Sequence, residues 1–85
     1  MTNLTIFIDA DRYPSAKTLH LALKLLLDLP EHYGCNADAL YDCLSERVGK
    51  PVNLVLLSPG EGDTADALRK VVHVIEDLGG DTKIV

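Results

Sequence analysis

The chain has 85 residues, enough for one domain with a modest core. Its 13 acidic residues outnumber eight basic ones, for a net charge of −5, which argues against nucleic acid or an anionic membrane surface as a direct partner, since both recruit Lys and Arg. At 47% hydrophobic residues, the composition also argues against an intrinsically disordered chain.

In chain order, residues 4–8 form a short, nearly continuous apolar run that predicts a strand buried on both faces. Residues 9–13 are a polar loop. Ser15 is placed to cap a helix over 16–27, with Leu19, Leu23, Leu26 and Leu27 inward and Leu21 and Leu25 broadening that face. Leu29-Pro30 ends it. Residues 31–35 are a linker that bends at Gly34, and Asn36 is the N-cap of a second helix over 37–48, stopped by Gly49 and Pro51. A second buried strand follows at 52–57, then an acidic, Gly-rich loop at 58–63. A third helix spans 65–78 with Leu68, Val71, Val72 and Ile75 inward, and a last strand covers 82–85. The order β-α-α-β-α-β, with helical crossovers, predicts a single α/β domain over 1–85: a three-stranded parallel sheet packed with helices.

The second helix carries the most information. At 3.6 residues per turn, Asp38, Asp42 and Glu46 fall at i, i+4 and i+8 and form one acidic stripe. Ala37, Leu40, Leu44 and Val48 face the other way, and Tyr41 sits at the border. Like charges at this spacing cost a few tenths of a kcal/mol per pair, about 0.2–0.5. Asp38 recovers part of that near the positive end of the helix dipole, whereas Asp42 sits mid-helix without that benefit. The stripe alone leaves two readings open: a solvated face, or a face shaped for a basic partner.

Catalytic and cofactor signals are weak. Cys35 and Cys43 match no zinc spacing, and on one straight helix they would lie about 12 Å apart, too far for a disulfide. They read as reduced thiols, which with a start lacking a basic, apolar leader points to a cytoplasmic protein. No stretch is apolar and long enough to span a membrane. His20, among leucines, reads as a hydrogen-bonded structural histidine, His73 as an exposed or edge residue, and Cys43 as a packing residue. The 59–63 loop has no lysine and no phosphate-cradle pattern. No cofactor, metal site or catalytic constellation is expected.

The run Leu29-Pro30-Glu31-His32-Tyr33-Gly34-Cys35-Asn36-Ala37-Asp38-Ala39-Leu40-Tyr41-Asp42-Cys43-Leu44 resembles, without a gap, the signature of the barstar family of intracellular inhibitors of bacterial ribonucleases. The resemblance implies a protein that plugs a nuclease active site in a one-to-one complex and is a monomer when free. It implies that Asp42 reaches the substrate-phosphate site and that Asp38 adds a second charge contact. It further implies that His32 and Tyr41 pack on the enzyme surface, while Tyr33, Gly34 and Asn36 shape the contacting loop. Ser45 and Glu46 continue the same surface. A cis peptide before Pro51 is also implied.

The chain departs from the family pattern at several of these positions. His32 and Tyr41 replace other aromatics, Arg47 replaces a further aromatic, and Val74 stands where a contact glutamate is expected, with Glu76 two residues away. These changes motivate an alternative in which a barstar-like immunity or binding module meets a non-ribonuclease toxin or a regulatory protein.

Overall fold

A computed structural model describes residues 4–46 and 51–85. The end of the predicted 37–48 helix, Arg47 and the Lys50–Pro51 bond lie outside the described residues. The order is β1 (Leu4–Asp9), a 3₁₀ turn (Ala10–Arg12), α1 (Ala16–Leu26), α2 (Ala37–Ser45), β2 (Val52–Ser58), α3 (Gly62–Asp77) and β3 (Asp81–Ile84). The strands form a parallel sheet with β2 in the centre, as the β-α-α-β-α-β order predicts.

Register runs from Leu4 opposite Val52 to Ile8 opposite Leu56, and from Asn53 opposite Asp81 to Leu56 opposite Ile84. Alternation then sorts the side chains. Ile6, Ile8, Val52, Leu54 and Leu56 point into a core shared with Leu19, Leu23 and Leu27, Leu40 and Leu44, and Leu68, Val71, Val74 and Ile75. The opposite face carries Phe7, which is 62% exposed, with Val55 partly buried and Leu57 exposed. The expectation of strands buried on both faces is therefore corrected: the helices cover one face only. A continuous apolar run does not reveal which of its members meet a second layer.

The helices show the same lesson. α1 begins in a capping box in which Ser15 Oγ accepts from Thr18 N and Thr18 Oγ1 accepts from Ser15 N. Its buried stripe is narrow, Leu19, His20 and Leu23, continued by Leu27 after the helix end. Leu21, Leu25 and Leu26 are exposed instead of lining the core, because α1 meets its neighbours along one side of the cylinder.

α3 starts at Gly62, ahead of the predicted 65, because its first turn is tied to α1. Asp63 accepts a hydrogen bond from Ala16 N at 2.9 Å, and Thr64 Oγ1 donates to the Tyr13 carbonyl at 2.8 Å. Val74 is buried and Val72 only partly so. At the end of α3, Gly80 packs so closely that a Cβ would collide with the Val52 carbonyl and the Ile75 side chain. This contact sets how α3 returns to the sheet edge.

Candidate functional site

The segment between α1 and α2 is built from inside outward. Leu27 and Leu29 anchor it in the core, and Tyr33 N donates to the Pro30 carbonyl at 3.0 Å to close a turn. Tyr33 is itself buried, its hydroxyl 2.6 Å from Nδ1 of buried His20 on α1. Burial lowers the imidazole pKa of His20 below its ordinary value. Burial, aided by the nearby Cys35 and Cys43 thiols, raises the phenol well above its usual range. Each polar atom supplies the partner that its buried neighbour needs. His20 is thus the structural histidine expected from sequence.

The chain then turns into α2. Cys35 takes a left-handed conformation at φ 55, and Asn36 caps the helix with both ends of its amide. Its Oδ1 accepts from Ala39 N at 2.8 Å, and its Nδ2 donates to the Gly34 carbonyl at 3.2 Å. A Cβ on Gly34 would stand 3.3 Å from that of Ala39, so the loop and the first turn of α2 lie in close contact.

From this rigid start α2 presents its outer face. Asp38, Tyr41, Asp42, Ser45 and Glu46 are exposed, while Leu40 and Leu44 are buried beneath them. The acidic stripe is therefore assembled as its spacing predicts. Among the described residues none of the three carboxylates has an ion-pair partner. The ion pairs present there, Arg12 with Asp9, Lys24 with Glu31 and Arg69 with Asp66, involve other acids. Ser45 Oγ donates to the Asp42 carbonyl at 2.9 Å within the last turn.

Loop and helix enclose an open groove of about 840 Å³, with Pro30, His32, Tyr33 and Gly34 along one side and Ala39, Asp42, Cys43, Ser45 and Glu46 along the other. Most residues singled out from sequence converge here. His32, Gly34, Asp42, Ser45 and Glu46 offer exposed surface to it. Asp38 and Tyr41 stand outside the groove on the outer face of α2, and Tyr33 forms its floor. Pro30, Ala39 and Cys43 also line it. The sequence pattern gives Pro30 and Cys43 structural roles and does not single out Ala39. Spacing along α2 was the available signal, since Ala39 and Cys43 are one turn apart.

Val74, the position matched to a contact glutamate, is in the core and has no access to this surface. Among the described residues no cluster of three His, Cys, Asp or Glu side chains could hold a metal ion, and no helix is long and apolar enough to cross a membrane.

A family profile described as "Barstar (barnase inhibitor)" matches residues 3–83. The chain belongs to the barstar family. It is also 36% identical, over 94% of each chain, to the Bacillus subtilis (strain 168) protein named "Putative ribonuclease inhibitor YrdF". The chain is thereby placed among barstar-type inhibitors rather than enzymes. Its three-stranded parallel sheet with helices is the architecture that the sequence resemblance implied.

Proposed function

We propose that this chain inhibits a bacterial ribonuclease in a one-to-one complex, by covering the active site with the 30–36 loop and the outer face of α2. One observation carries the reading: Asp38, Asp42 and Glu46 stand together on one exposed helix face, without ion-pair partners among the described residues. A nuclease active site is a concave patch of Arg, Lys and His that holds phosphates. Fixed carboxylates entering it form charge-assisted hydrogen bonds and steer the encounter.

Asp42, which borders the groove, takes the phosphate position. Asp38 and Glu46 meet flanking cations, and Ser45 lies between their turns. Tyr41 and His32 supply flat apolar area on either side, while Asn36, Gly34 and Tyr33 hold the loop in its bound shape. The helix and its cap are in place before binding, so little ordering entropy is lost. Inhibition then amounts to competition with RNA inside a cytoplasmic compartment that needs protection from the enzyme.

A second reading, in which the partner is a toxin or regulatory protein without nuclease activity, rests on the departures from the family pattern at His32 and Tyr41, both exposed beside the acidic face.

Capture from lysate and culture medium of the source organism tests both. Wild type is compared with an Asp38→Ala, Asp42→Ala variant, and the captured proteins are assayed for RNA cleavage. A basic ribonuclease retained only by wild type, and silenced by it, supports inhibition. An aspartate-dependent partner without nuclease activity supports the second reading.

A further inference from the structure

The face of the sheet opposite the helices carries two parallel rows of side chains that the inhibitory surface does not use. Thr5, Asn53 and Asp81 form one row, and Phe7, Val55 and Lys83 form the next. Phe7 is the only phenylalanine of the chain, yet it is 62% exposed here. Beside it the face is hollowed into a depression of about 430 Å³ that spans the sheet from Thr5 to Lys83. A projecting aromatic next to a recess, with one acid and one base two residues apart, makes a surface that can match itself.

We infer that this open face pairs with the same face of a second copy of the chain. Consider a two-fold axis lying between the two sheets, perpendicular to the strands, at the level of Leu54 and Thr82. It runs the strands of the two copies antiparallel and sets the first row of each against the second row of the other. Asp81 then meets Lys83 of the other copy, and Lys83 meets its Asp81. Phe7 covers Thr5, and Val55 covers Asn53. Every contact occurs twice, as an isologous interface requires. Two acids or two bases at positions 81 and 83 would meet as like charges across the axis, whereas Asp81 and Lys83 meet as opposite ones.

The pairing departs from the free monomer that the family resemblance implies. It leaves α2 and the 30–36 loop on the outside of the dimer, so each copy keeps its acidic surface. The contact rests on one projecting aromatic and one acid–base pair from each copy, which predicts association only at high protein concentration.

Sedimentation equilibrium on the full chain tests this up to about 1 mM, the weak end of specific association. The expected result for wild type is a mass that climbs with concentration from 9.2 kDa toward twice that value. Phe7→Glu and Lys83→Glu, each confirmed as folded by thermal unfolding, are expected to remain monomeric throughout. The exchange Asp81→Lys with Lys83→Asp is expected to keep the dimer that Lys83→Glu alone loses, since it reverses both partners of each pair. A wild type that stays at 9.2 kDa across the range overturns the pairing. A dimer that survives both Phe7→Glu and Lys83→Glu overturns its assignment to this face.

Discussion

The Tyr33 hydroxyl and Nδ1 of His20 lie 2.6 Å apart, joining the interior of α1 to the underside of the loop that precedes α2. Both groups are buried, so the bond fixes the height of the loop above the core. Tyr33→Phe keeps the ring and removes the oxygen, leaving the imidazole nitrogen unpartnered. The expected loss is about 1–3 kcal/mol of stability. Thermal unfolding should read this as a drop of at least about 4 °C in a domain of this size. An unchanged midpoint would mean that water replaces the hydroxyl.

The same pair makes stability pH-dependent. Burial lowers the His20 pKa below the 6.5 of an unfolded histidine. Between those values the unfolded chain binds more protons than the folded one, so stability falls as pH falls. The contribution is complete above pH 6.5 and is lost as pH drops from 6.5 through the folded value. Urea midpoints measured from pH 7.5 downward should decline in that window. His20→Gln should flatten this part of the profile while carboxylate protonation still acts at lower pH.

Asn36 serves two neighbours at once, accepting from Ala39 N and donating to the Gly34 carbonyl. Asn36→Ala should cost about 1 kcal/mol of stability, the usual value of an N-cap. It should also weaken partner binding beyond that, because the loop and the helix lose their common anchor. Asn36→Asp keeps the cap but not the amide donor, so it should recover most of the stability and less of the binding. Calorimetric unfolding and a titration with the captured partner separate the two effects.

Gly80 offers a check on the fold alone. A Cβ there collides with the Val52 carbonyl and the Ile75 side chain, so Gly80→Ala should abolish cooperative unfolding at ordinary temperature. Gly79 has nothing near its Cβ position but takes φ +90, so Gly79→Ala should be folded and only moderately less stable.

Local signals predicted much of this molecule. Ser15 and Asn36 announced two helix starts because capping is a matter of a few adjacent atoms. The α2 stripe was legible because helical period alone decides which residues share a face. What depended on a neighbouring layer was misjudged. Phe7 and Leu57 read as core but face outward, since an apolar run carries no mark of which side the helices occupy. Leu21, Leu25 and Leu26 read as inward for the same reason. Val74 stands at the family's contact position when counted back from Gly79, yet it faces the core. The start of α3 was placed late because Asp63 and Thr64 make their bonds to residues 47 and 51 positions away. The bond from buried Tyr33 to a histidine 13 residues earlier likewise has no local mark in the sequence.

The most direct test of the inhibitory face is the affinity of the captured ribonuclease for wild type and for the Asp38→Ala, Asp42→Ala variant, measured beside their thermal unfolding. Both aspartates are exposed, and removing them relieves like-charge repulsion along α2. Stability should therefore stay level or rise slightly, while affinity falls by at least about 100-fold as desolvated charge pairs are lost. Equal affinity for the two proteins, with both folded, would contradict the assignment of α2 as the inhibitory surface.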